Sequence, residues 1–196
     1  MKKFLSTIVS LVLLAGLGAT ATRAQSAPAA APSGIQADIV KSLVDAEKEV
    51  VALAEATPQE KYSWRPMEGV RSTSEVFMHI ARGNFGYAMF LGTPMPAGVN
   101  PQEFDKIIDK AQVVDILKKS FAQIKLAVTN AGDLSRTVKV FGGREMTVDA
   151  LILQTATHAH EHLGQSIAYA RTNHIVPPWT AEREEQQRQT QPAKKP

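Results

Sequence analysis

The sequence predicts an all-α protein: a four-helix bundle with a short extended excursion before its last helix. Three observations carry this. Four stretches place apolar residues at spacings of three and four, the period of a helix with one buried face. Helix start and stop signals stand at their ends. Strand character is confined to a short segment around Thr137 to Phe141.

In chain order, residues 1–24 read as a signal peptide. Met1-Lys2-Lys3 is a basic start, Phe4 to Ala19 is an apolar run, and Thr22-Arg23-Ala24 offers small residues for cleavage. Residues 25–34, rich in Ala, Pro and Ser, form a linker with nothing to bury. The bundle is expected over residues 35–179. Its first helix spans about Ile35 to Ala56, with Ile39, Leu43, Ala46, Val50 and Leu53 or Ala54 on one side, and Pro58 stops it. The second starts at the capping box Ser72-Thr73-Ser74-Glu75. Val76, Phe77, Ile80, Phe85, Ala88 and Leu91 are its apolar side, and it ends before Gly92-Thr93-Pro94. Asn100-Pro101 opens a short helix, with proline at the first helical position. The third long helix runs from about Ala111 to Ala131, with a stripe of Val113, Ile116, Leu117, Phe121, Ile124 and Val128 and with Gly132 as its C-cap. Thr137 to Met146 reads as a hairpin turned by Gly142-Gly143. The fourth helix runs from an N-cap at Thr147 to about Thr172, before Pro177-Pro178. Residues 180–196, polar and Gln-rich, read as a disordered tail.

Composition removes several function classes. There is no cysteine, so there is no disulfide, no thiol nucleophile, no thiolate ligand and no lipid-modified cysteine anchor. The formal charge is +3, but residues 1–24 hold Lys2, Lys3 and Arg23 and no acid, so the charge falls to 0 on cleavage. No nucleic-acid partner is expected of an uncharged mature chain. Cleavage also leaves no stable membrane anchor, and the protein is expected to be periplasmic or secreted.

The chemistry-bearing feature is Thr157-His158-Ala159-His160-Glu161-His162. In the fourth helix Leu151, Thr155, His158, His162, Gln165 and Tyr169 follow one another at steps of four and three, an inward stripe. His158 and His162 are one turn apart on it, so both imidazoles can meet one ion. His160 faces roughly 200° away and is expected at the surface. A two-histidine site needs another donor. His79, in the middle of the second helix, is available, and Gly83 and Gly86 leave its neighbourhood open to an approaching group. Its other reading is a polar residue at the edge of the core. His174 lies three turns past His162, too far for the same ion. A dinuclear carboxylate site is disfavoured, because Glu75 is four residues before His79 and Glu161 is adjacent to His162.

Two segments resemble motifs of the DinB-like (damage-inducible) four-helix-bundle family. One is Trp64-Arg65-Pro66-Met67-Glu68-Gly69-Val70-Arg71-Ser72, with His79 seven residues on. The other is His158-x-x-x-His162-Leu163-Gly164-Gln165, followed by Tyr169 and Arg171. The resemblance covers about Ile35 to Pro178. It implies an up-down-down-up bundle and one divalent metal held by His79, His158 and His162. It also implies kinship with metal-dependent thiol transferases and thiol-dependent isomerases. Those transferases work in the cytoplasm, whereas this chain carries an export leader.

Three histidine ligands leave positions open on the ion, so a bound water or thiol could become the nucleophile of a transferase or hydrolase. Zn, Ni, Fe and Mn all suit such donors. Gln165 reads either as support for a ligand or substrate or as a cap on the inward polar layer. Tyr169 and Arg171 are candidates for substrate binding, Arg171 equally for a solvated helix-end cation. Trp64 and Trp179 read as packing anchors. A small-molecule substrate and a homodimer are both compatible with the sequence. The alternative is a non-catalytic helical domain that binds a metal or ligand.

Overall fold

The computed structural model describes Pro32 and residues 34–190. The expected leader, residues 1–24, and the expected linker apart from Pro32 and Gly34 lie outside the described residues.

Helix α1 spans Ile35–Ala56, α2 Thr73–Phe90, α3 Lys110–Thr129 and α4 Val148–Thr172. Each begins and ends within a residue or two of its sequence signal. At α2 the Ser72 hydroxyl accepts from the Glu75 amide (3.3 Å), and the Glu75 carboxylate accepts from the Ser72 amide (2.7 Å). This reciprocal pair satisfies two donors that a helix start otherwise leaves open. Asp109 caps α3 through the Gln112 amide (2.9 Å). Thr147 stands at the start of α4 without a side-chain capping bond. Pro101–Lys106 form a 3-10 turn capped by Asn100. Strands β1 (Thr137–Lys139) and β2 (Glu145–Thr147) pair antiparallel, Val138 opposite Met146. The chain reverses at Gly142 and Gly143, with φ of 70° and 77°. Those values favour glycine.

α1 packs against α3 and α4, and α2 packs against the same two helices from the other side. Side-chain ties give the directions. Glu55, at the end of α1, pairs with Lys118 in the middle of α3, and Glu47, two turns earlier in α1, pairs with Lys125 further along, so α1 and α3 are antiparallel. Asn84 donates to Ser120 (3.1 Å), and Gln123 donates to the Pro94 carbonyl beyond α2, so α2 and α3 run parallel. Arg71 meets Tyr169 while His79 meets His158, so α2 and α4 are antiparallel. The order is up, down, down, up, as the resemblance implies.

The expected stripes form the core. Leu43, Val50, Leu53, Phe77, Ile80, Phe85, Leu117, Phe121, Ile124 and Leu151 are at most 1% exposed. Ile116 differs: it is half-buried and lines a cleft of about 710 Å³ beside Phe104, Ile107 and Leu126. A residue missed in the sequence, Tyr62, is fully buried in the connection between α1 and α2. Trp64 stacks edge-on against Tyr169, and Trp179 packs at the core's margin. Among the described residues, no helix is long and apolar enough to cross a membrane.

The expectation of a disordered tail from residue 180 is corrected for residues 180–190, which continue α5, Pro178–Thr190. Proline at its first position, residues of high helix propensity, and bonds from Arg188 and Gln189 back to Glu185 favour the helix without a buried face. Residues 191–196 lie outside the described residues.

Candidate metal centre

The α2 capping box fixes where that helix starts, and His79 follows two turns later. α4 passes antiparallel at this level. The structure brings His79, His158 and His162 together, with one ligand atom of each lying within 4.8 Å of the others. The Nε2 atoms of His79 and His158 are 3.2 Å apart. Ring centroids are separated by 5.0 Å (79–158), 4.5 Å (79–162) and 4.7 Å (158–162). His158 and His162 are 8% exposed, and His79 is half-buried.

Close approach depends on Gly83. A methyl group there would stand 2.3 Å from His158 Cε1, so the imidazole occupies the space of the absent side chain. The same holds one turn on, where a Cβ at Gly86 would stand 2.6 Å from the Phe141 ring.

A directional chain of hydrogen bonds sets the tautomer of His162. The Arg71 carbonyl can only accept, so the Tyr169 hydroxyl donates to it (3.1 Å). Tyr169 then accepts from the Gln165 amide nitrogen (3.2 Å), which turns the Gln165 oxygen towards His162. That oxygen accepts from His162 Nδ1 (2.9 Å). The proton therefore sits on Nδ1 and the Nε2 lone pair is free. Gln165 and Tyr169 thus support the cluster rather than merely capping the stripe. Removing the support in Gln165→Ala is expected to weaken metal binding about 10–100-fold, read by titration calorimetry.

Arg171 is not brought to the cluster. It is exposed in the last turn of α4, beside a cleft lined by His174 and Glu184. His160 is exposed, as its angle requires, and its Nδ1 donates to the Ala156 carbonyl (3.0 Å). His174 is exposed just beyond α4. Two neighbours were not singled out in the sequence. Arg71 lies close enough to act on both His79 and His158 electrostatically. Tyr87 stacks edge-on against His158 at 5.5 Å. Arg71 and Tyr87 stand eight residues before and eight after His79, about two turns to either side of it.

Burial, then Arg71, His162 and Arg82, push the His79 pKa down to about 4. Burial, then the two other histidines and Arg71, push His158 down to about 3. Both rings are therefore neutral at pH 7, the form that donates a lone pair. The linkage has a definite sign. Between the ordinary histidine value near 6.5 and these depressed values, the unfolded chain binds more protons than the folded one. The resulting stability is complete above pH 6.5 and is lost as pH falls towards 4 and 3. The melting temperature of metal-free protein should fall over that window, and less steeply in His158→Asn.

The donor set fits a metal ion. Two nitrogens bound to one ion at about 2.0–2.2 Å stand roughly 3–3.5 Å apart, and the 3.2 Å between His79 and His158 falls in that range. His158 Nδ1, the ring's other nitrogen, is buried without a hydrogen-bond partner, so His158 lacks the supporting bond that His162 has.

Fold and site together define a class: a helical bundle with a mixed three-histidine cluster between its second and fourth helices. A sequence profile of the DinB superfamily matches residues 42–166, and the chain belongs to that superfamily. Solved structures share the fold. A DinB-like protein from Bacillus cereus ATCC 10987 is 16% identical with a TM-score of 0.62, covering 71% of this chain and 93% of its own. A putative DinB family member from Exiguobacterium sibiricum 255-15 is 20% identical with a TM-score of 0.55, covering 71% and 91%. A DinB-like protein from Bacillus subtilis is 22% identical with a TM-score of 0.52, covering 71% and 93%. Among curated proteins none matches the sequence significantly.

Proposed function

We propose that this protein is an exported DinB-superfamily member that binds one divalent metal through His79, His158 and His162. The observation that carries the reading is the meeting of three imidazoles from two helices, one with its free lone pair assigned by the Gln165–Tyr169–Arg71 chain. Zn, Ni, Fe and Mn all suit three imidazole nitrogens. When bound, such an ion supplies Lewis acidity, which makes a nucleophile of a water or thiol near neutral pH. The chain's own residues do the rest. Gln165 holds the His162 ring and its tautomer, Tyr169 holds Gln165, and the Arg71 guanidinium favours an anionic small molecule at the rim. The reaction class this supports is transfer or hydrolysis by an activated thiol or water.

A second reading, a non-catalytic metal- or ligand-binding domain, is favoured by one observation. Among the described residues the metal-ligating cluster contains imidazoles alone. Export is carried by the sequence of residues 1–24.

One experiment tests metal and export together. The full chain is expressed, the extracytoplasmic fraction is purified, and its mass and elemental content are measured. The expected result is a chain beginning after Ala24 with one metal ion per molecule, lost in His162→Ala. Retention of Met1 removes export from the reading, and absence of stoichiometric metal removes the metal. Chelator-sensitive turnover of an electrophile with a thiol, or of an ester or amide, separates enzyme from binder.

A further inference from the structure

The hairpin before α4 has no part in holding the three histidines, yet its tip packs on Tyr87, whose ring stands against His158. Phe141, at that tip, is 59% exposed, whereas Phe77, Phe85 and Phe121 are at most 1% exposed. It is nevertheless held in place. Its ring edge sits over Gly86, where a Cβ would stand 2.6 Å away. It meets Phe90 edge-on at 4.6 Å and 86°, and Tyr87 at 6.0 Å and 71°. Tyr87 in turn meets His158 edge-on at 5.5 Å and 81°. Along α2, His79, Gly83, Gly86 and Phe90 recur at steps of four, three and four, so they share one stripe. The His158 ring covers the first glycine and the Phe141 ring the second.

A lone exposed aromatic residue is ordinary at a protein surface. This one differs in having a dedicated seat beside a candidate reaction centre. Neither the hairpin ladder nor its glycine turn requires an aromatic ring at residue 141. An anchored ring with an uncovered face offers a flat apolar surface at small entropic cost.

We propose that Phe141 and Tyr87 form the recognition wall of this site, and that its substrates carry a planar apolar group next to the atoms that meet the metal. The inference rests on the metal-binding reading given above. Phe141 is a specificity-determining residue, and Gly86 is the positioning residue that seats it.

The test uses two hydroxamates that bind an ion alike and differ in their side group, acetohydroxamate (methyl) and benzohydroxamate (phenyl). Protein is loaded with cobalt(II), metal content is measured, and each hydroxamate is titrated by the visible absorption of the cobalt. The readout is the ratio of the two affinities. Wild type should favour the phenyl compound, and the ratio should fall about tenfold in Phe141→Ala, the scale of discrimination an apolar contact provides. Gly86→Ala, which improves helix propensity and so keeps the fold, should lower the ratio similarly by unseating the ring. Met89→Ala, an exposed apolar change on the same helix, should keep the wild-type ratio. If cobalt binds and the ratio is unmoved in Phe141→Ala, the recognition wall is overturned while the metal site stands. If wild type binds no cobalt, the metal-binding reading fails and this inference fails with it.

Discussion

Gly83→Ala is expected to keep the helical bundle and to bind metal at least 100-fold more weakly. The two halves of this expectation have separate causes. Alanine is the better helix residue by roughly 1 kcal/mol, and Gly83 lies in the interior of α2 with an ordinary helical backbone. The added methyl, however, stands 2.3 Å from Cε1, 2.9 Å from Nδ1 and 3.1 Å from Nε2 of His158. No carbon tolerates that distance, so the imidazole must leave. Its exits are limited, because Tyr87, His79 and His162 surround the ring. Loss of one of the three proposed ligands is the consequence. Circular dichroism and thermal melting of metal-free protein should show an intact helical bundle, and calorimetric titration with Zn should show the lost affinity. A Gly83→Ala protein that binds as wild type would mean that His158 is not a ligand.

Tyr62→Ala is expected to have the largest effect on stability, about 3–5 kcal/mol, the range for removing a large buried ring. Tyr62 has no exposed surface and packs 6.1 Å from Phe77. Its hydroxyl donates to the Ala54 carbonyl (2.8 Å), in the last turn of α1. Its own carbonyl accepts from the Ser74 amide (2.9 Å), in the first turn of α2. The residue therefore holds the end of α1 to the start of α2, and His79 takes its place from that start. For a chain of this size the melting temperature should drop by roughly 10 °C. Tyr62→Phe, which keeps the ring and loses only the hydroxyl bond, should cost about 1–2 kcal/mol. Equal losses in the two variants would mean that the ring's packing contributes little.

The elements most legible in the sequence are those set by neighbours in the chain. The Ser72–Glu75 box, the Asn100-Pro101 start, and the pairing of His158 with His162 are properties of one turn of helix, and all appear where their spacing placed them. The position of His160 follows from the same angular argument. Gly83 and Gly86 read as room for an approaching group, but the sequence does not name the group. It is the His158 ring at one and the Phe141 ring at the other, and both are decided by how α2, α4 and the hairpin pack. Tyr62 was invisible for a related reason. It sits in a connection without helical periodicity, and its burial comes from two helices joined across it. Residues 180–190 misled in the opposite direction. Their lack of apolar residues excludes a buried face, yet Ala, Glu, Arg and Gln favour helix without one.

His79 and His158 are separated by 79 residues of chain, and the chain has no cysteine. An ion gripped by both would act as a clasp between the front and rear halves of the molecule, the service a disulfide performs in many secreted proteins. Reductants would leave such a fastening untouched, whereas acid or a chelator would release it.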